Sequence, residues 1–226
     1  IGSVQMYLGE FRQAESNFNK AIELALQLHD EKILGDVLKN KGILNAYQSK
    51  YLESIKYFNE AIEPYTQSKN KKGVADCYTN IGVIYNYMGD HLKSIEYQIQ
   101  AIEVYREIGY KSLLAMAINN LDVSYDDINK YDKALECYTE ALAIRIAIND
   151  KKGISVCYNN IGEVYRDQGD YAKAIEYYEK SLKIDQELND IEGITICQLN
   201  IGGIHFIQNN YEKAHKYYGE ALKNAN

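Results

Sequence analysis

No apolar run in this chain approaches the roughly 18 to 20 residues needed to cross a bilayer. The opening IGSVQMYLGEF has neither a charged leader nor an apolar signal core, and it lacks an initiator Met, so a piece of something longer is expected. A basic excess is also missing. The formal charge is -7, and Lys and Arg are interleaved with acids rather than gathered into a stripe. That pattern repels phosphate backbones and argues against nucleic acid as a partner. No basic amphipathic segment is present for a membrane surface. The four histidines, His29, His91, His205 and His215, are nowhere nearer than ten residues in sequence. None has the carboxylate or Cys spacing of a metal site or of a nucleophile and its base, so no metal, no cofactor and no catalysis are expected. The glycines form no phosphate loop. What remains is a soluble globular chain of 226 residues, long enough for a sizeable core and expected in the cytoplasm.

What the chain does have is repetition. Residues 159–174 read NNIGEVYRDQGDYAKA and residues 79–94 read TNIGVIYNYMGDHLKS. Sliding the sequence on itself aligns Gly2, Gly42, Gly82, Asp122, Gly162 and Gly202 at spacings of forty. Twelve positions after each anchor comes a small residue, from Ala14 to Ala214, and sixteen after it comes a large one, such as Phe18, Phe58, Tyr138, Tyr178 or Tyr218. Spacings of three, four and seven inside each unit are helical. Each unit breaks seven residues after its anchor at Gly9, Ser49, Gly89, Asn129, Gly169 or Asn209, residue types that suit a left-handed helix end. Asp90 and Asp170 follow as expected caps of the second helix. The unit is therefore a helical hairpin, and hairpins of this kind bury their remaining apolar face only by stacking. Cys77, Cys157 and Cys197 share one position of the unit. On stacked helices equivalent cysteines lie about 9 Å apart or more, beyond the ~7 Å reach of a disulfide, so unbridged buried thiols in a reducing compartment are expected. Most of the 22 tyrosines return at core positions and are expected to pack.

The pattern aromatic/Leu-x-N-Leu/Ile-G-x-x-Tyr, then G-D-Y, then A-x-x-x-Phe/Tyr-x-x-A resembles the tetratricopeptide repeat along essentially the whole chain. The period of forty, with an N-D-K-K-G junction at 149–153, is similar to the longer repeats of Pins-type spindle adaptors. More loosely it resembles those of kinesin light chains, bacterial peptide-pheromone receptors and arrays fused to sensor kinases. The resemblance implies an all-α fold, a right-handed superhelix or α-α solenoid of about six hairpins. The expected organisation is a single array over 1–226, with repeats near 1–30 (partial), 31–70, 71–110, 111–150, 151–190 and 191–226. The proline that often ends the family's repeat is absent, and the single proline, Pro64, falls inside a second helix and is expected to bend it. Neither end shows a polar capping helix, so an interior slice of a longer array is expected.

Asn40, Asn80, Asn120, Asn160 and Asn200 each stand two residues before the anchor. At about 100° per residue they point away from their own hairpin partner, onto the face that lines the groove of a two-layer stack. An Asn side chain offers an acceptor and two donors, so it can pair with both backbone groups of an extended peptide. Stacked helices ~8–10 Å apart would present one Asn to about every third peptide residue. Asparagine ladders of this sort are known in tetratricopeptide-like binders. The alternative task is structural, bridging one hairpin to the next. Tyr47, Tyr87, Asp127 and Asp167 share that face five residues after the anchor, and Glu163 shares it one residue after. The first two suit an apolar ligand residue. The acids, together with Asp126, form either a basic-residue site or a solvated patch. Chaperone-binding members of the family use a carboxylate clamp, but Ile43, Val83, Val123, Glu163 and Gly203 stand where it needs Asn. Asp122 replaces the anchor glycine, and its hairpin is expected to splay or to expose that edge.

The function expected is a non-catalytic protein or peptide-binding scaffold within a larger signalling or regulatory protein. The rival readings are a peptide-switched regulator of an attached output domain and a structural module that self-associates through its uncapped ends.

Overall fold

The computed structural model describes residues 2–224. Ile1, Ala225 and Asn226, which complete the first and last repeats as read from sequence, lie outside the described residues. Every element among the described residues is a helix: α1 Gly2–Tyr7, α2 Phe11–Leu28, α3 Glu31–Tyr47, α4 Tyr51–Gln67, α5 Lys71–Tyr87, α6 His91–Ile108, α7 Lys111–Asp127, α8 Tyr131–Ala147, α9 Lys151–Asp167, α10 Tyr171–Leu188, α11 Ile191–Ile207 and α12 Tyr211–Asn224.

The punctuation is set by single residues. All six expected breaks, Gly9, Ser49, Gly89, Asn129, Gly169 and Asn209, have φ between 57° and 79°, the left-handed turn that ends a helix. Asp90 and Asp170 accept from the backbone N–H of Lys93 and Lys173, both at 3.2 Å, and so start α6 and α10. The first helices are capped too. Asp30, Asn70, Asp150 and Asp190 accept from Ile33, Gly73, Gly153 and Gly193, each satisfying an amide that has no partner inside its own helix.

The described residues form two compact units, the first ending at Ser124 and the second beginning at Tyr125. In the first, α3 packs on α4 and α5 on α6, with α2 against α3 and α4 against α5; α3 also touches α5. In the second, α9 packs on α10 and α11 on α12, with α8 against α9 and α10 against α11, and α9 touches α11. First helices thus lie beside first helices in each unit.

The anchor glycines explain the close pairing. A Cβ on Gly42 would lie 2.8 Å from the Phe58 ring, and one on Gly162 would lie 2.7 Å from the Tyr178 ring. Phe58 and Tyr178 are fully buried, as are the small residues Ala134, Ala174, Ala101 and Ala141. Where Ser54 takes the small position its buried hydroxyl donates to the Gly42 carbonyl at 2.7 Å, so the polar group is not left unsatisfied. Of the two outcomes expected at Asp122, a splayed hairpin or an exposed edge, the second does not occur, since the residue is 0% exposed. α4 runs continuously through Pro64 from Tyr51 to Gln67.

Candidate functional site

In the first unit, α3, α5 and α7 carry Asn40, Asn80 and Asn120, all half-buried. The Asn40 amide donates to the Asp36 carbonyl one turn back at 2.8 Å, and Asn80 does the same to Asp76 at 2.7 Å. That bond uses one N–H and fixes the side chain. The second N–H and the Oδ1 acceptor remain, the pair of groups needed to meet one peptide unit. Tyr47 and Tyr87 are 59% and 74% exposed. They border a recess of about 480 Å³ together with Asn80, Ile43 and Val83. A smaller recess of about 210 Å³ follows, lined by Tyr87, Val83, Asn120 and Val123. Asparagines and tyrosines singled out separately in the sequence are therefore brought to one face.

Asp36 and Asp76 lie on the same helices but are engaged elsewhere. Each accepts from a tyrosine hydroxyl of the following helix, Tyr65 and Tyr105, at 2.7 Å. Burial, followed for Tyr65 by the bond to Asp36, raises both hydroxyls above the usual range for tyrosine. Asp76 also pairs with Lys72 at 2.8 Å and Lys39 at 3.3 Å. The two tyrosine contacts join residues 29 positions apart, a separation that gives no helical or forty-residue signal in the sequence.

In the second unit, Asn160 and Asn200 are half-buried on α9 and α11. Asn200 donates to the Oδ1 of Asn159 at 3.0 Å, and Asn159 donates to Glu163 at 3.2 Å. One ladder asparagine thus bridges neighbouring hairpins, through an Asn159 that the periodicity did not single out. The acids do gather. Burial, then the charges of Asp167, Asp127 and Glu163, pushes the Asp126 carboxyl up to about 6. Glu163 is raised as well, chiefly by burial. Asp127 and Asp167 are exposed at the edge of the cluster. Arg166 joins the group by pairing with Asp167 at 2.8 Å, so the patch has four carboxylates and one guanidinium.

The buried thiols are chemically quiet, since burial pushes Cys77 and Cys197 up to about 12 and leaves little thiolate near neutral pH. Among the described residues no group of three His, Cys, Asp or Glu side chains could hold a metal ion. No described helix is long and apolar enough to cross a membrane.

Family models described as tetratricopeptide repeat match residues 73–147 and 154–226, with a further match over 1–27. The chain belongs to the tetratricopeptide repeat family and has its α-solenoid fold. No curated protein matches it. Among solved structures it is similar to BtubC (BKLC) from P. vanneervenii, at 20% identity and TM-score 0.83, covering 95% of this chain and 91% of that one. It is also similar to aspartyl phosphate phosphatase F from Bacillus subtilis, at 22% identity and TM-score 0.80, covering 90% and 54%. A Rap protein complexed with Competence and Sporulation Factor is 19% identical with TM-score 0.78, covering 95% and 58%. The chain therefore spans little more than half of the latter two proteins.

Proposed function

We propose that this chain is a non-catalytic, cytoplasmic scaffold that holds an extended protein or peptide segment against the faces carrying Asn40, Asn80, Asn120, Asn160 and Asn200. It serves a larger signalling or regulatory protein. The observation that carries this reading is the state of Asn40 and Asn80: each is fixed by one bond to its own helix, with a donor and an acceptor left over. A side chain fixed before binding loses less entropy when the ligand arrives. Likeness to a Rap protein solved with Competence and Sporulation Factor, and to the Rap conjugation gene regulator of pLS20 solved with the Phr* peptide, favours a peptide as the partner. The same likeness supports a second reading, a peptide-switched regulator whose output lies in an attached domain.

Backbone pairing alone is too weak. At a net ~0.5–1.5 kcal/mol per contact, Asn40 and Asn80 contribute about 1–3 kcal/mol, short of the roughly 8 kcal/mol of a micromolar complex. Side-chain recesses supply the rest. The Tyr47 and Tyr87 recess takes an apolar residue, and Asp127, Asp167 and Glu163 take a Lys or Arg.

Linear peptides selected from a random library on the purified chain test this division. Tyr47→Ala is expected to weaken peptides with an apolar anchor. Asp167→Asn is expected to weaken basic peptides alone and to flatten their salt dependence. Selected peptides whose affinity is indifferent to both changes would place the binding surface elsewhere.

A further inference from the structure

Tyr65, Tyr105, Arg145 and Asp185 occupy one repeat position, forty residues apart. Tyr65 fills its seam: its ring lies where a Cβ on Gly73 of the next hairpin would be 2.5 Å away, and its hydroxyl reaches Asp36 at 2.7 Å. Asp185 takes the corresponding place against Gly193, where a Cβ would lie 2.6 Å from the carboxyl carbon. Val156 stands where Asp36 and Asp76 receive the tyrosine hydroxyls. The ring and its acceptor are thus both gone. A cavity of about 320 Å³ occupies this seam of the second unit, with Asp185 and Cys197 in its wall and Asn159 and Asn160 among its lining.

Asp185 is 3% exposed. Its partners are neutral: the Ser155 hydroxyl, the Ser181 hydroxyl at 3.4 Å and the Cys197 thiol at 3.6 Å. The last two are long or weak, so part of the carboxylate's accepting capacity is unused. Lys152, the basic side chain of the lining, pairs instead with Asp190 at 2.8 Å. With Glu192 the wall carries three carboxylates against one ammonium. A buried carboxylate without a cation is costly, and a cation supplied by a ligand offsets that cost. Val156 and Ile196, 40% and 43% exposed, also line the cavity and suit an aliphatic stem.

We propose that this cavity binds an alkylammonium group, its stem along Val156 and Ile196 and its charge on Asp185. The source is either a lysine side chain of a bound segment, in which case the pocket deepens the proposed function and rests on it, or a free diamine.

The test is an amide NMR titration of the whole chain at constant ionic strength. The probes are Nα-acetyl-lysine N-methylamide, cadaverine and the neutral Nε-acetylated lysine amide. Saturable shifts of the Gly193 and Cys197 amides are expected with the charged probes and not with the neutral one. The tighter of the two charged probes identifies the source. Asp185→Asn is expected to weaken binding by about tenfold or more, as a charge-assisted hydrogen bond is lost. Asp185→Tyr, which restores the residue found at 65 and 105, is expected to abolish it. Absence of saturable shifts, equal response to the neutral probe, or undiminished binding by either folded variant would overturn the proposal. Asn40→Ala with Asn80→Ala, in the other unit, is expected to leave ammonium binding unchanged, so loss of the asparagine face and loss of this pocket are separately visible.

Discussion

Asp126 shows how one carboxylate can oppose folding at neutral pH. Its ordinary value is 3.8, and in the folded chain burial with Asp167, Asp127 and Glu163 raises it to about 6, against which Arg166 acts. The folded state therefore holds the proton more tightly than the unfolded one. Below the ordinary value both states are protonated and no cost arises. As pH climbs toward 6 the unfolded chain ionises first, so the cost grows, and above that it is constant. Asp126→Asn is expected to raise Tm at pH about 7.5 and to leave it unchanged, relative to the parent, at about pH 3.5. A stabilisation of equal size at both values would show that charge is not the cause. Such a cluster is tolerable where a basic ligand residue docks, which agrees with the role proposed for Asp127, Asp167 and Glu163. The acids were legible in the sequence because they stand one to five residues from aligned anchors. Arg166 was not, since neighbouring charge on one helix does not reveal which carboxylate it pairs with.

At the scale of the helix, the anchor glycine sets two effects against each other. Replacing Gly by Ala inside an exposed helix stabilises by about 1 kcal/mol. At Gly162 the new Cβ would meet the Tyr178 ring at 2.7 Å and the Ala174 carbonyl oxygen at 3.2 Å. Overpacking costs ~1–3 kcal/mol, so close approach outweighs propensity. Gly162→Ala is expected to destabilise by up to about 2 kcal/mol. Hydrogen exchange should quicken mainly in α9 and α10, because a stacked hairpin touches only its neighbours. A net stabilisation would show that the glycine is not kept for helix contact. Helix ends, left-handed turns and this contact could be read from sequence, because each depends on residues close along the chain. The seams between hairpins could not. Tyr65 and Tyr105 repeat, but Arg145 and Asp185 hold the same position with different chemistry, so no letter kept along the whole chain marks the place where one hairpin meets the next.

For the whole molecule, the repeat made the tetratricopeptide fold legible, since a forty-residue register kept across six hairpins leaves few other ways to bury the apolar faces. The division after Ser124 was not. It falls two residues past Asp122, the one departure from the glycine anchors, and a single substitution does not announce a boundary. The face proposed for binding was legible only in part: Asn40 and Asn80 hold their own helices while keeping free groups, whereas Asn200 spans to Asn159. The most direct test of the account is calorimetric titration of library-selected linear peptides into the parent chain and into the Asn40→Ala, Asn80→Ala double variant, with circular dichroism as the check on folding. Because backbone pairing ignores ligand side chains, peptides bound by the first unit should all weaken by a similar amount, about 1–3 kcal/mol for two contacts. Unchanged affinity in a folded double variant would contradict the account and make these asparagines purely structural.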